Sequence, residues 1–243
     1  MISIIIPLYN EAENVEHYGE NLFPVIDAIE KKTGEVFEFI FVDDGSRDDT
    51  LARLHRITGI RPNIKILEHG TNRGMGNAIR TGLLACTGEI IVTMDSDLTF
   101  RPQDVELLIR KFRETGADLV SGSPYLGKGL MEEVTPLRLF LSKSVNFLYR
   151  LLLGKKITGV SPIFRLYRKS ALDDITISSD NFEINAEIIS KFIIAGKSVA
   201  EVPVPLLRRK YGVSKIRVSR EIRNNIVLLL KIFRTRYLHG EWK

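Results

Sequence analysis

Five short apolar runs, each followed by a stretch with helical spacing, constrain this chain more than any other feature of its sequence. The runs over 2–7, 36–42, 63–68, 89–94 and 118–122 are too short for helices and read as buried strands. Between them, 11–32, 48–58, 76–87 and 102–115 repeat apolar residues at the helical period. Asn10 with Glu13 predicts a capping box for the first helix, and Pro102 stands where a first-turn proline belongs. Strand–helix alternation at this spacing predicts an α/β fold, a Rossmann-like and mostly parallel sheet flanked by helices on both faces. Ligands in such sheets bind at the carboxyl ends of strands, so the loops that follow strands are the expected seat of chemistry.

The second half is less regular. A helix is predicted over 136–154, with Arg138, Lys143 and Arg150 among apolar residues, then a strand over 163–168 and a helix over 181–195. A strand over 198–204 and a long basic helix over 216–238 complete the chain. We expect one domain over 1–215 and a C-terminal basic amphipathic extension over 216–243.

Composition excludes several classes. With 44% hydrophobic and 27% charged residues in 243, the chain carries enough apolar surface for a folded core. A single cysteine, Cys86, excludes a disulfide framework and a cysteine-based zinc cluster, and suits a reducing compartment. No basic n-region with a cleavage site opens the sequence, and the aliphatic run 226–230 is far too short to span a bilayer. The net charge of +5 is unevenly spread: 204–243 holds eleven Lys and Arg against Glu221 and Glu241, which leaves 1–203 at −4. A mildly acidic body with a basic tail calls for an anionic partner. Nucleic acid is not expected, because the tail has few aromatics for base stacking and no reading motif.

Three acidic loops are expected at one sheet edge: Pro7-Leu8-Tyr9-Asn10-Glu11, Asp43-Asp44-Gly45-Ser46 and Asp95-Ser96-Asp97. Their carboxylates repel unless a cation or hydrogen-bond donors neutralise them. Residues i and i+2 of extended backbone project to the same side, so Asp95 and Asp97 can face one Mg2+ or Mn2+ ion. The same residues, with Thr99, can instead shape the turn before the helix at Pro102. Of Asp43 and Asp44, one can accept N–H donors of a nucleobase or ribose hydroxyls while the other caps the next helix. The glycines of Asn72-Arg73-Gly74-Met75-Gly76-Asn77-Ala78 permit either close backbone approach at a helix start or phosphate contact. They do not fit a dinucleotide fingerprint, which needs its glycines at the first strand–helix turn. The four histidines (17, 55, 69, 239) show no metal-ligand spacing and are expected at the surface or as caps. In the basic loop 208–215, Arg209 and Lys215 are suited to clamp a diphosphate, the first by its fork and the second as a point charge.

Taken in order, these motifs resemble those of the inverting glycosyltransferases of GT-A fold, family 2, and within them the dolichol-phosphate (polyprenol-phosphate) mannose synthases. The resemblance runs over nearly the whole chain and implies a GT-A domain over 1–215. It implies that Pro7, Tyr9, Glu11, Val42 and Asp44 line the nucleoside pocket, that Asp95 and Ser96 contact the donor, and that Asp97 holds the metal. Arg209 and Lys215 would bind the diphosphate or the acceptor phosphate. The implied reaction is metal-dependent transfer of a hexose, mannose from GDP-mannose, to a polyprenyl phosphate. Alternatives are a different donor sugar, a soluble glycan acceptor, or a non-catalytic nucleotide-sugar-binding subunit. Three departures bear on this: Thr99 replaces a Gln, Pro124 replaces an Arg, and Gly159 replaces an Asp.

A polyprenyl phosphate needs no general base, because its oxygen is already anionic near neutral pH. A hydroxyl acceptor would need one, for which Glu132, Glu133 and Glu187 are candidates. The helices over 136–154 and 216–238 have the composition of helices that lie in a lipid headgroup layer, and equally of core helices with a charged outer face. The first of these readings places the protein on an anionic membrane surface at its cytoplasmic face, with a small membrane subunit as a further partner.

Overall fold

The computed structural model describes residues 1–57, 59, 61–132, 135–212, 218–238, 240 and 242. Among these, seven strands form one sheet: β1 (Ile2–Leu8), β2 (Phe37–Asp43), β3 (Ile64–Glu68), β4 (Ile90–Thr93), β5 (Leu119–Ser123), β6 (Arg165–Arg168) and β7 (Val199–Pro203). Their spatial order is β3-β2-β1-β4-β6-β5-β7. All pairings are parallel except those of β6, which runs antiparallel to both β4 and β5. Every residue of β1 and β2 is buried, as expected of central strands covered on both faces.

The helices depart from their sequence-predicted bounds where local chemistry interrupts them. The stretch predicted as one helix over 11–32 is three: α1 (Ala12–Glu16), α2 (Tyr18–Asn21) and α3 (Phe23–Thr33). Gly19 lies in the short second piece, and Pro24 opens the third, where its missing N–H breaks the ladder from the preceding turn. The predicted capping box does not form. Asn10 adopts φ +54, and its side chain reaches across to the Arg47 N–H at 2.7 Å, while Asp48 Oδ2 accepts from the Ala12 N–H at 3.2 Å. Asp48 also serves the start of α4 (Thr50–Ile57), where its Oδ1 accepts from the Thr50 N–H at 3.1 Å.

Further along, α5 (Met75–Ala85), a 3-10 turn at Pro102–Asp104 with α6 (Val105–Thr115), and α7 (Pro136–Leu153) follow in order. A short α8 (Lys169–Asp173), not foreseen from the sequence, precedes α9 (Ile184–Ile194), and α10 (Val218–Tyr237) ends the set. Helix α9 is buried on all sides, from Ile184 through Ile193. That is why its apolar period is weak.

On one face of β2, Phe39 and Phe41 stack at 5.8 Å, with Phe23 edge-on to Phe39 at 5.2 Å and Tyr18 over Phe41 at 5.7 Å. Glu38, on the opposite face, knits the amino end of the sheet. It accepts from Ser3 Oγ at 2.5 Å, from the Thr87 N–H at 2.6 Å and from Thr87 Oγ1 at 2.9 Å, and pairs with Lys65 at 3.0 Å. Burial works against its charged form, but these donors overcome it and hold the carboxyl down at about 2, against an ordinary 4.5. Because the folded value lies below the unfolded one, the stabilisation is complete above pH 4.5 or so and is lost as the pH falls through about 2. Denaturant unfolding of Glu38→Gln is therefore expected to show a loss of about 1–2 kcal/mol at pH 7, less than the whole shift because its partner Lys65 is partly exposed to solvent. The difference from wild type should shrink steadily below pH 4.5.

Candidate functional site

At the carboxyl edge of the sheet, β1 and β4 part company. Their register ends at Ile5 opposite Thr93, and Met94 N–H donates to the Ile5 carbonyl at 3.0 Å. The next β1 donor on that side would come from position 7, where proline has none, so the chain after β4 is released to turn away. Pro7 and Val42 stand opposite one another and are both buried. They form the floor beneath the loops.

The turn after β4 carries the acidic pair. Asp95 Oδ2 accepts from the Thr99 N–H and Thr99 Oγ1, both at 2.7 Å, and from the Phe100 N–H at 3.3 Å. Asp97 Oδ1 accepts from the Thr99 N–H at 3.1 Å. Each carboxylate thus spends one oxygen on folding the turn. Asp95 Oδ1 is buried without a hydrogen-bond partner, and Asp97 Oδ2 meets the Arg209 guanidinium at 2.5 Å. Thr99, a departure from the family pattern, is the residue that locks both acids. Leu98, between Asp97 and Thr99, has φ +52, a conformation that costs a side-chain-bearing residue roughly 1 kcal/mol or more. The bonds around Thr99 hold it there.

Arg209 also contacts both oxygens of Glu11 at 3.3 Å, and Asn14 Nδ2 donates to Glu11 Oε2 at 2.5 Å. So the structure brings Glu11, Asp95, Asp97 and Arg209 into one cluster. Burial raises the Asp95 carboxyl well above its ordinary value, reinforced by the negative charge of nearby Asp97. Asp97 is itself subject to burial, but the Arg209 charge and the Thr99 N–H bring it below its ordinary value. Opposite shifts on the two acids, with the guanidinium beside the lower one, are how two buried carboxyls coexist here. Tyr18, which the sequence did not single out, donates its hydroxyl to the Ser96 carbonyl at 2.7 Å. Burial and then the negative charges of Glu11, Asp97 and Asp95 push that hydroxyl well above its usual range, so it remains a donor. Tyr9, which follows the last residue of β1, is half-buried.

Asp44 sits on the same edge, yet its carboxylate is engaged by the loop after β3. Oδ1 receives His69 Nδ1 at 2.8 Å and the Arg73 N–H at 2.9 Å, and Oδ2 receives the Gly74 N–H at 2.8 Å. The acid with an unspent oxygen is its neighbour: Asp43 Oδ2 accepts from the Ser46 N–H at 3.1 Å, while Oδ1 is buried and unpartnered. Neither caps α4, a role taken by Asp48. His69, expected at the surface, is buried, with Nε2 2.9 Å from Thr81 Oγ1. His17 stacks on Tyr211 at 4.3 Å, His55 is exposed, and His239 lies outside the described residues. Lys215 and Glu133 lie outside them as well.

The glycine-rich segment is explained by packing. A Cβ on Gly74 would lie 2.3 Å from the Asp180 carbonyl oxygen, and one on Gly76 would lie 2.2 Å from that of Ser179. Of the two readings of this segment, close backbone approach is the one the structure displays. Glu187, a candidate base, holds the approaching loop: it accepts from the Ser178 N–H at 3.1 Å and the Ser179 N–H at 2.7 Å, and pairs with Lys191 at 2.9 Å. Glu132 is exposed and accepts from the Arg208 N–H at 3.1 Å. The departures at Pro124 and Gly159 form one remodelled corner. A Cβ at Gly159 would fall 3.0 Å from the ring of Tyr125, which hydrogen-bonds Ser142 on α7.

A family model described as glycosyl transferase family 2 matches residues 3–176, more than half of the chain. The chain belongs to that family. A dolichol-phosphate mannosyltransferase of Pyrococcus furiosus is 31% identical over 220 residues, covering 89% of this chain and 59% of its own length. A polyprenol monophosphomannose synthase of Mycolicibacterium smegmatis is 32% identical over 220 residues, covering 88% of this chain and 80% of its own. Thus the chain spans well under two thirds of the first relative and four fifths of the second. In three dimensions it is similar to glucosyl-3-phosphoglycerate synthase from Mycobacterium tuberculosis, solved with Mn2+, UDP and glucosyl-3-phosphoglycerate. That match has a TM-score of 0.68 at 20% identity and covers 97% of this chain and 79% of the other. The expected GT-A fold and family are borne out.

Two helices of the second half present exposed apolar faces. On α7, Phe140, Leu141, Phe147, Leu148 and Leu151 are exposed; on α10, Ile222, Ile226, Leu230 and Phe233 form a second exposed stripe. The opposite faces pack through Tyr149 and Leu153 of α7 and Leu228 and Ile232 of α10, with Tyr149 donating to Asn225 Oδ1 at 2.9 Å. Core packing therefore accounts for only one face of each helix. Among the described residues, no helix is long and apolar enough to cross a membrane.

The packing account of the glycines is open to test by thermal unfolding. Gly76→Ala is expected to lower Tm by roughly 5 °C or more, the scale of an overpacked backbone contact in a domain of this size.

Proposed function

We propose that this chain is a metal-dependent inverting glycosyltransferase that moves a hexose from a nucleotide sugar to a polyprenyl phosphate, the hexose being mannose, as its relatives' names suggest, and the donor GDP-mannose, as the resemblance of its motifs implies. The observation that carries this reading is the pairing of a buried, unpartnered Asp95 Oδ1 with Asp97 Oδ2 on one turn, beside a forked cation at the mouth of the sheet edge.

Mg2+ or Mn2+ suits that pair of hard oxygen donors, with water and phosphate oxygens expected to complete its shell. Asp95 and Asp97 would hold it, and when bound it supplies Lewis-acid stabilisation of the departing nucleoside diphosphate. The chain's own residues do the rest. Arg209 binds diphosphate oxygens through its fork, with Lys215 as its partner in the same basic loop. Asp43 Oδ1 offers the base an acceptor, in the pocket that the family resemblance implied Asp44 would line, over a floor of Pro7 and Val42 with Tyr9 alongside. Glu11 orients Arg209, and Tyr18 fixes the Ser96 backbone against the donor. No base is required for an acceptor phosphate that is already anionic, which agrees with the employment of Glu187 in loop packing.

The exposed apolar stripes of α7 and α10, flanked by Lys143, Arg150, Arg223, Lys231 and Arg234, suit an anionic membrane surface at the cytoplasmic face. A small membrane subunit is a further candidate for the same stripes. On this reading 1–215 is the transferase domain and 216–243 its membrane-facing extension. The Tyr125–Gly159 corner, where the family pattern is broken, favours a second possibility, a different acceptor or donor sugar at an otherwise unchanged diphosphate site.

Transfer from labelled GDP-mannose to a short polyprenyl phosphate tests the reaction: EDTA should abolish it and Mn2+ or Mg2+ restore it. Asp97→Asn should lower turnover by about a hundredfold or more with the fold retained, the scale expected when a principal electrostatic group is lost. Turnover indifferent to both would end the metal reading. Flotation with vesicles containing phosphatidylserine should carry the wild type at low salt, and the Phe147→Glu/Leu230→Glu double variant should stay behind.

A further inference from the structure

The position of Arg209 sets a condition on how the site fills. Its guanidinium touches both oxygens of Glu11 at 3.3 Å and Asp97 Oδ2 at 2.5 Å. That Asp97 oxygen is the one a dication would take. A divalent ion binds carboxylate oxygen at about 2.0–2.2 Å, so the ion and the guanidinium claim the same lone pairs and repel each other at close range. The side chain therefore has to leave Asp97 before the ion can use it.

Its backbone is not free to leave. On one side Leu207 N–H donates to the Thr99 carbonyl at 2.9 Å, within the acidic turn itself. On the other, Gly212 N–H donates to Glu13 Oε2 at 3.0 Å and Tyr211 stacks on His17 at 4.3 Å. Held at both ends, this strap permits side-chain rotation and little else. Arg209 is 26% exposed, so it stands at the mouth, where an entering diphosphate offers oxygens that match its fork. Glu11 keeps its bond from Asn14 when the guanidinium turns.

We propose that Arg209 is an exchangeable counter-ion that guards the acidic turn, so that the dication binds well only when a diphosphate draws the guanidinium off Asp97. This rests on the nucleotide-sugar reading above and adds to it an order of filling: diphosphate and metal arrive together or diphosphate first. Coupling of this kind is reciprocal, so Arg209 raises the cooperativity between the two ligands while weakening each metal-only complex.

The test is Mn2+ binding to the full chain, followed by the electron paramagnetic resonance signal of free Mn2+, with and without GDP or UDP. Arg209→Met is expected to bind Mn2+ alone roughly tenfold more tightly than the wild type, the scale of one relieved charge contact. Added nucleotide should then strengthen its Mn2+ binding by a smaller factor than in the wild type. Arg209→Lys keeps the charge and should stay close to wild type with Mn2+ alone. If Arg209→Met binds Mn2+ alone no better than wild type, or Arg209→Lys gains as much as Arg209→Met, the guard is overturned while the metal site stands. If Asp97→Asn leaves the nucleotide-dependent Mn2+ site intact, the metal assignment itself fails and this proposal with it.

Discussion

The burial of Glu11, Asp95 and Asp97 within reach of one another is the constraint around which this molecule is organised. Each is largely hidden from water, and carboxylates so placed repel unless something of opposite sign lies between them. Three devices meet the demand. Burial and the nearby charge of Asp97 raise the Asp95 carboxyl, Thr99 supplies its backbone N–H and hydroxyl, and Arg209 brings a positive charge from 198 residues along the chain from Glu11. The last device has topological consequences. The loop after β7 must return across the sheet to reach the turns after β1 and β4, which ties the amino-terminal half to the carboxyl-terminal half through the Arg209 charge, as the Arg80–Asp180 pair does elsewhere.

The acidic turn shows how a fold can serve itself and a ligand with the same residues. One oxygen of each acid makes the turn and the other is left over, and the strained backbone at Leu98 is tolerated because bonds on both sides of it are satisfied. A turn-forming role and a ligand-holding role are therefore compatible at this site. The same division recurs after β2, where Asp44 is spent on the glycine-rich loop and Asp43 keeps one buried oxygen in reserve. In the acidic turn the division is between the two oxygens of each acid, and after β2 it is between two adjacent residues of the same chemistry.

Much of this was legible from the amino acids alone. Apolar runs and their spacing revealed the α/β class and the edge on which the acids gather, because burial on both faces leaves an unmistakable pattern in β1 and β2. Side-chain direction was harder to read. Asp43 and Asp44 look interchangeable until Arg73 and Gly74 are seen to donate to one of them. Likewise Tyr18 lay hidden within an amphipathic stretch, since nothing local shows that its hydroxyl ends on the Ser96 carbonyl 78 residues away. A histidine such as His69 carries no mark of burial either; its two partners come from other elements.

By itself, then, the sequence determined the strand and helix periods, the acidic loops at strand ends, the basic tail and the family, because these depend on local composition and order. Tertiary structure alone decided that β6 enters antiparallel, that the glycines of 72–78 yield to a neighbouring backbone, and that Glu11 and Asp97 share one guanidinium. Those outcomes turn on distances between residues far apart in the chain, and no pattern of neighbours along a sequence encodes which of several like charges will end within a few ångströms of a given partner.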